Sequence, residues 1–333
     1  MTKATSLNRR RVLSILAAST ALPWLGTHAK ASLPAPYRWQ GIVLGAMADL
    51  TLYADDRAEA GAALSASLAE AARLEAIFSL HQADSALNRL NREGRLDGAP
   101  FELLELMSQA LELAARSGGR FEPTIQPLWK LYADHFARPE ADPAGPSASE
   151  IAALASSVDY RGVRLDGDSI VFDRQGMQVT LNGIAQGYIS DRVGALLRQR
   201  GFTHVLVNLG ETLALDRRAD GTPWKIGVSA PDDHARLVTE LPLTGGAIAT
   251  SAALGLPFDA DGRFNHLIDP KRFACADPDR SVTVLAPTAA IADGLSTLGA
   301  LLPEPQEDLP AFLAAQGAKA FVFSRRANAL AWL

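Results

Sequence analysis

The spacing of apolar residues predicts helices in the first third of the chain, after one strand at Gly41–Tyr53. The apolar positions of the first helix recur every three or four residues and share one face: Leu64, Leu68, Ala71, Leu74 and Phe78. A second helix is predicted over Phe101–Ser117. Gly118-Gly119 follows it directly, which is typical of a helix C-terminus.

Short apolar runs dominate the rest of the chain and predict strands. These runs are Ile170–Phe172, Gln178–Leu181, Val205–Asn208, Lys225–Val228, Val282–Ala286 and Ala320–Phe323. Helical spacing returns between them, at Ala185–Gln199, Ala289–Leu302 and Leu309–Gln316. Asp261-Gly262, between two short runs, predicts a hairpin turn. Because strands and helices alternate irregularly and hairpins occur, the order predicts an α+β fold rather than a doubly wound parallel sheet.

The ends and boundaries of the chain suggest one exported domain. Paired arginines precede the apolar run Val12–Leu25, and Ala29-Lys30-Ala31 resembles a cleavage site. The run is too short for a membrane span, so residues 1–31 are predicted to be a cleaved twin-arginine export signal. An ordinary export signal with a chance arginine run is the alternative. Residues 32–333 then form a single domain, with the proline-rich Ala137–Ser149 as an exposed loop or a boundary between two lobes.

Charge and cysteine content narrow the function. The 333 residues carry a net charge of −5, and positions 1–31 contain five basic and no acidic residues, so the predicted mature chain is strongly acidic. An acidic surface disfavours nucleic-acid binding. One cysteine, Cys275, excludes an intrachain disulfide and an all-cysteine metal site. No nucleotide-binding, zinc-protease or serine-hydrolase motif is present, and the six histidines lack metal-ligand spacing.

Four segments place glycine and polar residues where a core would need bulk: Gly118–Thr124, Leu181–Tyr188, His266–Pro270 and Ala292–Thr297. In the second, a predicted strand enters a helix through two glycines, a geometry that brings backbone N–H groups to a phosphate. In the fourth, Asp293 and Thr297 lie four residues apart on a predicted helix, so their side-chain oxygens share one face.

Each segment also has a purely structural interpretation. Gly183 and Gly187 would permit close helix–strand packing. His266, which looks exposed in the sequence, would be a hydrogen-bonded turn residue beside Asp269-Pro270, itself a plain turn. Asp293 would complement a helix dipole. No single segment decides between the two interpretations.

The ordered set of segments over residues 41–302 resembles the FAD:protein FMN transferases, the ApbE family. The matching segments are Asp84–Asn91, Gly119–Thr124, Pro127–Trp129, Leu181–Asp191, Val207–Gly210, Trp224–Val228, Ala249–Ser251, His266–Pro270 and Ser281–Thr297. The resemblance implies mixed or antiparallel sheets flanked by helices. It also implies Mg²⁺-dependent transfer of FMN from FAD to a threonine of an acceptor protein, with release of AMP.

The resemblance assigns roles to particular residues. Asp293, Thr297 and the backbone carbonyl of Gly183 match the metal ligands, and His266 matches the general base, for which a pKa near neutrality is suited. The implied flavin contacts are Leu44, His81, Arg120, Phe121, Glu122, Thr180, Gln186 and Leu267. Several of these depart from residues common in the family, namely Leu44, His81, Glu122, Thr180 and Gln186.

This combination of kept metal and base positions with changed flavin contacts is similar to the ApbE-like accessory flavoproteins of periplasmic nitrous oxide reduction. It implies a soluble periplasmic enzyme whose acceptor is a membrane-bound or periplasmic electron-transfer protein. Three alternatives stay open at this point. They are a periplasmic FAD-binding protein without transfer activity, an FAD pyrophosphatase, and a two-lobed solute-binding protein.

Overall fold

The fold is built around one antiparallel sheet of eight strands. A computed structural model describes residues 35–43, 46–302 and 309–333. Its strands are β1 Pro36–Val43, β2 Ala46–Tyr53, β6 Val205–Asn208, β7 Thr212–Ala214, β10 Gly246–Ala252, β13 Arg280–Ala286, β14 Lys319–Ser324 and β15 Ala329–Trp332. They lie side by side in the order β1-β2-β6-β7-β10-β13-β14-β15, and every neighbouring pair is antiparallel.

Three smaller sheets are separate from the large one in the described residues, and helices connect many of the strands. The strands β3 Arg95–Leu96, β4 Val163–Asp166 and β5 Ser169–Phe172 form a three-stranded sheet, β8 Trp224–Ala230 pairs with β9 Asp233–Leu243, and β11 Ile268–Asp269 pairs with β12 Ala274–Cys275. The helices are α1 Arg57–Phe78, α2 Ala86–Glu93, α3 Phe101–Arg116, α4 Gln126–Phe136, α5 Ala148–Leu154, α6 Ala185–Gln199, α7 Ala289–Leu301 and α8 Leu309–Ala315. No helix in the described ranges is long and apolar enough to cross a membrane.

Both faces of the large sheet are buried, because successive residues of a strand point to opposite faces. Val205 and Val207 of β6 join the main core formed with the helices, among them α1, α6 and α7. Leu206 lies on the opposite face, in a second core with Trp224 of β8 and Leu241 of β9. The ribbon of β8 and β9 therefore covers the face that the helices leave open. This explains why β6 is a continuous apolar run rather than an alternating one.

The predicted α+β class is confirmed, and most predicted helices and strands occur within two residues of their expected limits. The single strand predicted at Gly41–Tyr53 is wrong, because β1 and β2 form a hairpin there in which Ile42 pairs with Met47. The hairpin predicted at Asp261-Gly262 is reduced to a turn closed by one isolated bridge, Pro257 to Asn265.

The strand predicted at Gln178–Leu181 is also wrong, although its backbone is satisfied. The side-chain amide of Asn91 donates to the carbonyl oxygen of Val179 at 2.8 Å and accepts from the Val179 N–H at 2.6 Å. The Thr180 N–H donates to the carbonyl oxygen of Pro123 at 2.8 Å. A side chain and a loop thus take the place of a partner strand, and the segment stays extended without joining a sheet.

The proline-rich stretch predicted as a loop connects α4 to α5 and is largely exposed. Ser147 ends it with a capping box in which Glu150 reaches back to the Ser147 backbone. Whether the stretch divides two lobes stays a prediction. The predicted export signal at 1–31 and Leu44 lie outside the described residues.

Candidate active site

A cavity opens beside the first turn of α6 and the middle of α7. It is lined by ten of the twelve residues that the resemblance singled out: His81, Phe121, Glu122, Thr180, Gly183, Gln186, His266, Leu267, Asp293 and Thr297. Arg120 does not line it. A second, wider cavity lies between α3, α6 and α7 and contains none of the twelve. The structure therefore brings together residues that are up to 216 positions apart in the sequence.

The oxygen-bearing side of the cavity is formed by α7 and the loop before α6. Asp293 and Thr297 both face the cavity, as their spacing on one helix predicts. Gly183 lies directly against Thr297, because a Cβ atom at Gly183 would lie 3.0 Å from the Thr297 Oγ1. The Ser251 hydroxyl lies 3.3 Å from the same oxygen. Hard oxygen atoms of the kind that Mg²⁺ prefers thus converge here.

Close contact between α6 and α7 fixes this arrangement. A Cβ atom at Gly187 would lie 2.2 Å from the carbonyl oxygen of Ala289, so only glycine allows the helices to approach this closely. The Asp191 carboxylate accepts hydrogen bonds from the N–H groups of Ala289 and Ala290, at 2.8 and 2.9 Å. The structural interpretation therefore holds for Gly187, with a helix as the partner, whereas Gly183 faces the cavity.

Asp293 is a buried acid whose carboxylate accepts a hydrogen bond from the backbone of α6. Its exposed fraction is 4%, and its Oδ2 accepts from the Gly187 N–H at 3.0 Å. Burial raises the pKa of Asp293 to about 7, the Gly187 N–H opposes the shift, and the negative charge of Asp191 adds to it. A buried carboxylate with this pKa is stabilised by a nearby positive charge, so the site suits a cation.

Glu211 lines the same cavity and is a residue that the sequence did not reveal. It lies between β6 and β7 and is 3% exposed. Burial raises the pKa of Glu211 well above its ordinary value, repulsion by Asp293 adds to the shift, and the Thr250 N–H opposes it. In the sequence it is a lone acid between Leu209 and Leu213, a pattern that does not by itself mark a functional site.

His266 differs from the exposed turn residue that the sequence suggested. It is half-buried in the cavity wall, and its Nδ1 lies 3.3 Å from the carbonyl oxygen of Leu256. Burial lowers the pKa of His266 to about 4, a shift that the Leu256 carbonyl opposes. The imidazole is therefore neutral at pH 7. With Nδ1–H donating to Leu256, the Nε2 atom is free to accept a proton.

The backbone beside His266 is held by buried polar groups. Asn265 is fully buried and donates to the carbonyl oxygens of Gly262 and Ala276, at 3.1 and 2.9 Å. Its own side-chain oxygen accepts from the Leu267 N–H. Asp269 accepts from the Lys271 N–H and pairs with Arg272, as expected of a structural turn. His266 is thus presented by a rigid loop.

On the flavin side implied by the resemblance, Glu122 organises its own loop. Its Oε1 accepts from the N–H and hydroxyl of Thr124 at 3.0 and 2.7 Å, and its Oε2 accepts from the Tyr160 N–H at 3.1 Å. Burial raises the pKa of Glu122, and these hydrogen bonds oppose the shift. This loop presents the buried Phe121 toward Gly183.

Gln186 packs against the turn that follows β6. A Cβ atom at Gly210 would lie 2.7 Å from the Gln186 Nε2, and Gly210 has a φ of +108°, which other residues rarely adopt. Glycine at position 210 therefore makes room for the Gln186 amide beside the cavity. His81 is exposed at the rim of the cavity, where its backbone N–H donates to the Ser79 hydroxyl.

Known proteins resemble this chain in both sequence and structure. Among curated relatives, the FAD:protein FMN transferase of Salmonella typhimurium is 29% identical over 66% of this chain and 65% of its own length. The FAD:protein FMN transferase of Vibrio cholerae is 31% identical over 66% of this chain and 67% of its own length.

Solved structures share the fold. The flavinyl transferase ApbE of Pseudomonas stutzeri superposes with a TM-score of 0.75 and 26% identity, over 92% of this chain and 96% of its own. The ApbE protein of Thermotoga maritima gives a TM-score of 0.78 at 24% identity, over 90% and 97%. The sequence profile of the ApbE family matches residues 44–322. The chain therefore belongs to the ApbE family.

Proposed function

We propose that this protein transfers FMN from FAD to a threonine hydroxyl of an acceptor protein, with Mg²⁺ as cofactor and AMP as the leaving product. The observation that carries the proposal is the meeting of Asp293, Thr297, Gly183 and His266 around one cavity. The activity of the similar FAD:protein FMN transferases supports it.

The residues on α7 fit a magnesium ion by their chemistry. Asp293 supplies a carboxylate, Thr297 a hydroxyl and Gly183 a backbone carbonyl, and all three residues border the cavity. The raised pKa of Asp293 indicates that the part of the cavity beside this residue favours positive charge. Magnesium, when bound, would neutralise charge on the pyrophosphate oxygens.

His266 would act as the general base. Its neutral imidazole takes the proton of the acceptor threonine hydroxyl at Nε2 while the hydroxyl oxygen bonds to the phosphorus of the FMN half. The bond between that phosphorus and the bridging oxygen breaks, and its electron pair leaves with AMP. The pKa of about 4 leaves this base fully unprotonated at neutral pH, and it makes His266 a weaker base than a free imidazole.

The remaining cavity residues would hold the flavin. Phe121, His81 and Leu267 offer apolar and aromatic surface, while Thr180 and Gln186 offer hydrogen-bonding groups. The Glu122 carboxylate is already engaged by three donors, so its contribution is to shape the loop that carries Phe121. Arg120 would complete the flavin site from outside the cavity lining, and Leu44, which lies outside the described residues, stays a flavin contact that the family resemblance implies.

The N-terminal pattern supports export by the twin-arginine route to the periplasm. The acceptor would then be a membrane-bound or periplasmic electron-transfer protein of a respiratory system. Replacing Arg9 and Arg10 by lysine, which keeps the charge, should retain the protein in the cytoplasm. Finding the variant in the periplasm at the wild-type level would contradict this route.

Covalent transfer is tested with the purified protein, FAD and MgCl₂, added to membranes from a strain that lacks this gene. We expect a flavin-fluorescent band on a denaturing gel. Asp293→Asn and His266→Gln should reduce it at least tenfold. Asp279→Asn and His204→Gln are matched controls, because Asp279 is also buried and His204 also binds a backbone carbonyl, both outside the cavity.

The other functions give different results in the same assay. An FAD pyrophosphatase would release AMP without membranes and label no protein. A flavin-binding protein would retain FAD and release no AMP. Full labelling by both Asp293→Asn and His266→Gln would contradict the assigned roles.

A further inference from the structure

Glu211 is a buried carboxyl whose second oxygen has no partner. It lies in the turn between β6 and β7, is 3% exposed and lines the candidate active site. The Thr250 N–H donates a hydrogen bond to the carboxyl. Its Oε2 is fully buried and receives no hydrogen bond. Burying a carboxyl oxygen without a hydrogen bond costs free energy, unless a bound ligand contacts that oxygen.

The charged neighbour that acts on this carboxyl is another acid. Asp293 repels Glu211, and both side chains are buried and line the same cavity. A positive ion held between the two carboxylates would offset this repulsion.

We propose that Glu211 is a second carboxylate ligand of the divalent cation, in addition to Asp293, and that the chain binds this cation before FAD arrives. The inference rests on the proposed function, which assigns the cation to Asp293, Thr297 and Gly183. It adds Glu211 as a further ligand and an order of binding in which the cation precedes FAD. With Asp293 as the only acid, the cation would depend on the phosphates of FAD for most of its charge balance. With Glu211 as well, two carboxylates balance a dication without substrate.

The turn that carries Glu211 is held firmly enough for this role. The Ser190 hydroxyl of α6 donates to the Glu211 backbone carbonyl at 3.3 Å, and Gly210 just before it adopts a φ that suits glycine. The neighbouring strands β7 and β10 pair directly, which places Thr250 of β10 beside the turn. Glu211 therefore reaches the cavity from the sheet, and Asp293 reaches it from α7.

The test is a calorimetric titration of Mn²⁺ into the flavin-free full chain. We expect Glu211→Gln to weaken Mn²⁺ binding at least tenfold, and Glu211→Asp, which keeps the charge, to weaken it less. Glu105→Gln is the matched control, because Glu105 lines the other cavity and its loss removes one negative charge there. This control should bind Mn²⁺ as the wild type does.

Thermal unfolding gives a second readout that also reports folding. Mn²⁺ should raise the melting temperature of the wild type, and the rise should be much smaller for Glu211→Gln. Without Mn²⁺ the variant should melt at or above the wild-type temperature, because a buried repulsion is removed. An unfolded Glu211→Gln protein would therefore contradict the proposal.

Four further outcomes separate this inference from the proposed function. Wild-type affinity in Glu211→Gln, or no Mn²⁺ binding by the flavin-free wild type, overturns the role of Glu211 and leaves the transferase assignment intact. If Asp293→Asn bound Mn²⁺ with wild-type affinity, the assignment of the cation to Asp293 would be wrong, and the proposed function would be contradicted with it. Equal weakening by Glu105→Gln would show a general charge effect and also overturn the inference.

Discussion

Replacing Gly187 by alanine tests whether the contact between α6 and α7 builds the site. The added Cβ atom would lie 2.2 Å from the Ala289 carbonyl oxygen and 2.7 Å from the Ala290 nitrogen, both backbone atoms. Contacts of Cβ atoms below 3.0 Å essentially do not occur, so the helices must separate by at least about 0.8 Å. The movement also strains the hydrogen bond from the Gly187 N–H to Asp293.

The magnitude follows from these contacts. Overpacking costs about 1–3 kcal/mol, and a hydrogen bond to a charged acceptor contributes about 1.5–3 kcal/mol. The higher helix propensity of alanine offsets about 1 kcal/mol. We therefore expect the free energy of unfolding to fall by about 1.5–5 kcal/mol. At roughly 2 °C per kcal/mol, the melting temperature should drop by roughly 3–10 °C.

Calorimetry and the covalent transfer assay measure the two effects of this change. Gly61→Ala is the matched control, because Gly61 also lies in a helix, α1, and its Cβ atom would meet only the Tyr37 hydroxyl at 3.8 Å. That variant should be more stable by about 0.5–1 kcal/mol and transfer flavin normally. Wild-type stability and transfer in Gly187→Ala would refute the reasoning.

Two further predictions concern stability. The pKa of His266 is about 4 in the folded protein and 6.5 unfolded, so the unfolded chain binds more protons between these values and the free energy of unfolding falls as the pH drops from 6.5 to 4. In His266→Gln this fall in the free energy of unfolding should be smaller by up to about 3 kcal/mol, as measured by denaturant unfolding at several pH values. If the free energies of the variant and the wild type fell in parallel with pH, the prediction would be contradicted. Asn91→Ala removes both hydrogen bonds to Val179 and should lower the free energy of unfolding by about 2 kcal/mol, whereas no change would show that solvent replaces them.

The sequence predicted elements well where burial leaves a simple pattern. The continuous apolar run of β6 follows from burial on two faces, and α6 and α7 follow from regular spacing. The long strand β9 was missed because most of its residues are exposed or partly exposed and charged residues interrupt its pattern. The segment around Val179 was misassigned because its composition is that of a strand while its partner is the Asn91 side chain.

The candidate site, too, could be predicted only in part from the sequence. The spacing of Asp293 and Thr297 and the four glycine-containing segments could be identified from local sequence. Glu211 could not, because its importance depends on Asp293, which lines the same cavity and lies 82 positions later in the chain. The half-buried state of His266 depends on Leu256 and the surrounding loop, which no local pattern reveals.

The pairing of β2 with β6 has a consequence for the kinetics of folding. Leu52 lies opposite Val205, so this part of the sheet closes a loop of about 150 residues, and helices α1 to α6 all lie within it. Contacts this distant in sequence form slowly and dominate the folding barrier. Asp293 and Glu211 meet only after β6 has joined the sheet. Ligands of the cavity should therefore slow unfolding while leaving the folding rate nearly unchanged.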